Sequence, residues 1–183
     1  MSGRLLIAGV GNIFLGDDGF GVEVAGRLAG VGLPDWAQVV DYGIRGMHLA
    51  YDLAGGYSSA ILVDATARGG EPGTIYVIEP EPAAVPAADD DAGLAASPLF
   101  NAHGMQPDIV LGMLGMLDAA ERQVLVVGCE PASVDYGIGL SEPVAAAVDE
   151  AVAVIMDLVA GAAGSDEHRL TTKGWAHVPR DSR

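Results

Sequence analysis

The stretch Leu5-Leu6-Ile7-Ala8-Gly9-Val10-Gly11-Asn12-Ile13-Phe14-Leu15-Gly16-Asp17-Asp18-Gly19 sets the first unit of the fold. Its six apolar residues form a short continuous run closed by Gly11-Asn12, the pattern of a strand buried on both faces. Val22, Val24, Ala25, Leu28 and Ala29 then recur at helical spacing, with Asp17-Asp18 ahead of them as an acidic candidate N-cap. The reading is a β-loop-α unit.

The same loop invites a nucleotide-binding interpretation and refuses it. In a dinucleotide fingerprint counted from Gly9, the third glycine falls at Phe14. Gly11 and Gly16 have the separation of a phosphate-binding loop, but Asp17 and Asp18 stand where the Lys and the Ser or Thr belong. Carboxylates at those places repel a phosphate and hold a cation. No nucleotide cofactor is therefore expected.

Downstream, Gln38 to Tyr42 reads as a strand, Met47 to Leu53 as a short helix, and Ala60 to Val63 as a third strand ending at Asp64. Thr74 to Ile78 reads as a fourth. The chain between the third and fourth strands is too short for a parallel crossover, so the fourth is expected to run antiparallel to the third. Glu79 to Ala102 is rich in Pro, Ala and Asp, including Asp89-Asp90-Asp91, and reads as a long surface loop. A helix over Pro107 to Ala120, a fifth strand over Val124 to Val127 and a helix over Glu142 to Val159 complete the pattern. The expected fold is α/β, with a mixed, mostly parallel, five-stranded twisted sheet. One domain over 1–161, with the loop at 80–102, is followed by a tail over 162–183 expected to be mobile.

The chain has 183 residues, is half hydrophobic and carries a net charge of −16. Its first 165 residues hold 5 basic against 22 acidic side chains, a balance of −17. Such a surface repels nucleic acid and anionic membrane and attracts cations and basic peptide segments. Cys129 is the single cysteine, so no internal disulfide forms, and it reads as a small core residue. The apolar run after Met1-Ser2-Gly3-Arg4 is too short for a signal peptide, and no stretch reaches membrane-spanning length. A cytoplasmic protein is expected.

In an open α/β sheet, ligands bind outside the C-terminal ends of the parallel strands. Asp18 leaves the first strand there, Asp64 ends the third, and the order of elements brings His103, at the start of the helix over 107–120, to the same edge. Two carboxylates and an imidazole can hold a first-row divalent metal with open positions, without selecting nickel. From position alone, Asp18 serves equally as a helix cap, Asp64 as a turn residue and His103 as a loop histidine. Asn12 fits a turn held by its own side chain. Gly139-Leu140-Ser141-Glu142-Pro143 lacks the closing glycine of a serine-hydrolase elbow, and Asp64-Ala65-Thr66 departs from the Asp-Thr-Gly of pepsin-like dyads.

Gly9-Val10-Gly11-Asn12 with Gly16-Asp17-Asp18-Gly19, then Gly43-Ile44-Arg45-Gly46-Met47, Val63-Asp64-Ala65 and His103-Gly104-Met105 resemble, in order, segments of the hydrogenase maturation proteases. So do Gly128-Cys129-Glu130-Pro131 and Gly137-Ile138-Gly139-Leu140-Ser141. The resemblance implies a three-layer α/β/α sandwich. It also implies an endopeptidase, commonly filed as aspartic-type, that trims the C-terminal extension of a [NiFe]-hydrogenase large-subunit precursor. It assigns Asp18, Asp64 and His103 to catalysis and to engaging nickel already inserted in that precursor, so the nickel arrives with the substrate. The segment 80–100, the tail after Gly161 and Pro107 depart from the family pattern. A non-catalytic, nickel-sensing assembly factor would use the same three residues.

Overall fold

The structure, a computed structural model, describes residues 3–80, 122–164 and 168–172. Five strands, β1 (Leu5–Val10), β2 (Ala37–Gly43), β3 (Ser59–Ala65), β4 (Ile75–Ile78) and β5 (Gln123–Cys129), form one sheet in the order β2-β1-β3-β5-β4. β2, β1, β3 and β5 run parallel to one another, and β4 pairs antiparallel with β5. The expected antiparallel course of β4 is therefore found, but β5 is inserted between it and β3. The chain from 79 to 122 is long enough to return β5 to that central place. The helix expected over Pro107 to Ala120 and the loop over 80–102 lie outside the described residues.

Side chains alternate along each strand, and both faces are covered. Leu5, Ile7, Ile61, Val63, Leu125 and Val127 face one core, built with α1 (Phe20–Leu28) and α3 (Glu142–Ala162). Leu6, Ala8, Val10, Leu62 and Val126 face a second core with Leu49 and Leu53 of α2 (Gly46–Gly56). This gives the expected layers, helices on either side of a mixed sheet. A continuous apolar strand is the consequence of burial on two faces, because neither face leaves a position for polar residues.

Helix α1 approaches the sheet closely at Gly21, where a Cβ would overlap the carbonyl oxygens of Val10 and Val63. That contact fixes the helix over the ends of β1 and β3. At the opposite edge, residues 168–172 are not a free tail. Leu170 is buried, its N–H donates to Gln123 Oε1 at 2.8 Å, and Gln123 Nε2 donates to its carbonyl at 2.7 Å. The His168 ring stacks on Trp36 at 4.0 Å. The expectation of a mobile tail after Gly161 is corrected there: an apolar side chain with paired backbone groups docks where a purely polar segment would stay in water. Among the described residues no helix is long and apolar enough to cross a membrane.

Candidate active site

The sheet order reverses direction at β1: the chain moves from β1 outward to β2, then crosses back to β3 on the other side. The crevice at such a reversal lies beyond the C-terminal ends of β1 and β3. Asp18 leaves β1 into it, and Asp64 stands at the end of β3.

Asp18 lies in a 3-10 turn over Gly16–Gly19 that precedes α1 directly. Its carboxylate does not cap α1; no side chain does. It turns back and accepts the N–H of Asn12 at 2.7 Å. Asn12 in turn accepts the N–H of Phe14 through Oδ1 at 3.0 Å, the expected side-chain-held turn. Gly11 makes the tight return possible. Its φ is +131°, and a Cβ there would overlap the Asp18 backbone oxygen.

Asp64 is 3% exposed and its Oδ1 has no hydrogen-bond partner. Burial, and then the neighbouring Asp18 carboxylate, push its pKa well above the usual carboxylate range. A buried carboxyl with an orphan oxygen beside a second carboxylate is unfavourable unless it keeps its proton or a cation arrives. The structure thus brings Asp18 and Asp64 together. His103 lies outside the described residues, and among those residues no three ligating side chains gather.

Asp17, expected as a helix cap, has a different task. Although its residue is buried, its carboxylate accepts four bonds: Ser141 N–H at 2.6 Å, Ala132 N–H at 2.8 Å, Ser141 Oγ–H at 2.9 Å and Ser133 N–H at 3.1 Å. Burial alone would raise its pKa, but the bonds from Ser141, Ser133 and Ala132 outweigh this and lower it. Backbone bonds from Gly16 N–H to Gly137 and from Gly137 N–H to Phe14 continue the stitching. The loop after β5 is thereby clamped to the loop that presents Asp18.

Glu130 follows β5 directly, in the segment Gly128-Cys129-Glu130-Pro131. It is buried and accepts the N–H groups of Arg68 and Gly69 and the Tyr76 hydroxyl, at 2.8, 3.1 and 2.8 Å. These bonds overcome its desolvation and lower its pKa. It fixes the loop that leaves β3 just beyond Asp64. Only its place after a buried strand hinted at this. Cys129 is a core residue whose thiol burial pushes up to about 12.

The family model for the hydrogenase maturation proteases matches residues 22–158. The chain belongs to the hydrogenase maturation protease family. A Methanocaldococcus jannaschii relative, provisionally named a hydrogenase maturation protease, is 35% identical over 83% of this chain and 94% of its own length. The hydrogenase 2 maturation protease of Escherichia coli is 30% identical, over 84% of this chain and 88% of its own. Among solved structures, the E. coli hydrogenase maturating endopeptidase HybD superposes with a TM-score of 0.67 at 28% identity, covering 88% of this chain and 94% of that one.

Proposed function

We propose that this peptidase removes the C-terminal extension of a [NiFe]-hydrogenase large-subunit precursor once nickel has been inserted. The observation that carries the reading is the pairing of Asp18 with buried Asp64, whose unpartnered Oδ1 suits a cation brought by the substrate. Nickel belongs to the precursor, and Asp18, Asp64 and His103 are proposed to engage it, which supports locating the scissile bond by the metal. A water then attacks the peptide carbonyl, with Asp18 or Asp64 taking its proton. The C–N bond breaks and the proton passes to the departing amine. In this sense the assignment is aspartic-type, and the acidic chain is expected to act in the cytoplasm.

The test incubates the purified protein with nickel-loaded and nickel-free precursor and follows the precursor's mass. Loss of a C-terminal peptide only from the nickel-loaded form, abolished by Asp18→Ala, is the expected result. A precursor that binds but is never cut sinks the peptidase reading and leaves an assembly factor that docks without cutting.

A further inference from the structure

Nine large apolar side chains are exposed among the described residues; six sit on three loops at the C-terminal edge of the sheet, and a seventh, Met47, is in the first turn of α2, which follows one of those loops. Apart from Ile13, they are Phe14, Ile44, Met47, Val134, Tyr136 and Ile138, and Tyr136 is 93% exposed. The loops adjoin one another. Gly11 N–H donates to Gly43 O, joining the loops after β1 and β2. Gly16 and Gly137, with the isolated bridge from Leu15 to Gly137, join the first loop to the one after β5.

This apolar surface is held in place by polar bonding beneath it. Asp17 anchors Ala132, Ser133 and Ser141 from below, so the loop carrying Val134, Tyr136 and Ile138 is preformed in the free protein. Ile13 packs over Gly19, directly beside Asp18. Exposed apolar side chains gathered on adjoining segments beside a polar cleft are the usual mark of a binding face.

Charge narrows the occupant. Arg45 is the single Lys or Arg in segments 11–19, 41–47 and 130–142, and its guanidinium donates to the carbonyls of Tyr42 and Asp41. Exposed Asp41, Asp135 and Glu142 stand in the same segments. An anionic partner such as a phosphate-bearing surface is repelled; a polypeptide with apolar side chains interspersed with Lys or Arg is complementary.

We propose that this rim is the docking surface for the polypeptide around the cleavage site of the precursor, with Ile44 and Met47 gripping on one side of the carboxylate pair and Tyr136 and Ile138 on the other. The proposal rests on the function proposed above and adds to it where the substrate sits and what chemistry recognises it. The metal fixes the reacting bond, and the apolar rim supplies affinity.

Steady-state cleavage of nickel-loaded precursor tests this with wild type, the double variant Tyr136→Ser/Ile138→Ser, Phe14→Ser and the control Val31→Ser, an exposed apolar site between α1 and β2 at the opposite edge of the sheet. Thermal melting confirms that each is folded. The double variant is expected to raise KM on the order of tenfold with kcat changed less than about twofold. Tyr136→Phe should restore most of the affinity, and raised salt should raise the wild-type KM. Unchanged KM in the rim variants, with wild type active, overturns the proposal. So does conversion of a dimer to a monomer without a change in KM, which would give the surface to a second copy of the chain. If wild type binds but does not cut, the peptidase reading falls while the rim is still read directly: weaker precursor binding by the double variant supports it and equal binding refutes it.

Discussion

Replacing Asp17 by Asn keeps the shape of the side chain and removes its charge, which makes it a sharp test of the loop clamp. The carboxylate offers two oxygens to four donors: Oδ1 takes Ser141 N–H, while Oδ2 takes Ala132 N–H, Ser133 N–H and the Ser141 hydroxyl. An amide must turn its own NH2 group towards one of these sets, and the less damaging choice faces Ser141 N–H. That donor is then orphaned, at a cost of about 1–3 kcal/mol, and the other three bonds lose their charge assistance, at roughly 0.5–1 kcal/mol each. The expected loss is about 2.5–6 kcal/mol, a large part of the ~5–15 kcal/mol that stabilises an ordinary domain. For a chain of this length it corresponds to a fall of roughly 5–25 °C in Tm. Calorimetry or circular dichroism at pH 7 measures it. The pH dependence has a fixed sign. Because folding lowers the Asp17 pKa, the clamp's contribution is complete above the unfolded carboxylate value and is lost as pH falls through the folded one. The gap between wild type and Asp17→Asn should therefore narrow in acid. A variant melting within about 2 °C of wild type at pH 7 would refute the clamp.

Asp64→Asn should abolish cleavage yet raise Tm of the free protein at neutral pH. Folding raises the Asp64 pKa, so stability falls as pH climbs from the unfolded value through the folded one, and a neutral amide escapes that penalty; a lower Tm in urea-free melts would contradict it. Gly11→Ala forces a Cβ against the Asp18 backbone at a φ of +131°, and should cost about 2–3 kcal/mol and most of the activity, read by a denaturant midpoint and a cleavage assay. Leu170→Ala should lower stability by roughly 2–3 kcal/mol with kcat unchanged, since the residue is buried at the edge opposite the carboxylates; an unchanged Tm would mean that the segment does not dock.

The parts of the fold legible in the sequence were those governed by local pattern. The apolar run Leu5 to Val10 announced a strand covered on both faces, and the short chain from Asp64 to Thr74 forbade a parallel crossover. The placement of β5 between β3 and β4 was not legible, because strand order depends on which edges remain open after the early strands pair, and no local spacing records that. Asp18 and Asp64 could be brought to one edge by counting strand directions alone. The division of labour between Asp17 and Asp18 could not. Two identical side chains, adjacent in a loop, are equivalent in sequence until the backbone turns one inward. Here the 3-10 turn at Gly16–Gly19 sends Asp17 beneath the loop after β5, where four donors are waiting, and leaves Asp18 half-buried at the crevice. The acid at position 17 is expended on structure, and the acid at position 18 is the one left at the crevice. The two substitutions should therefore separate cleanly: Asp17→Asn lowers stability first and activity through it, whereas Asp18→Asn, whose amide oxygen can still accept the single bond from Asn12 N–H, lowers activity in a protein that still melts close to wild type.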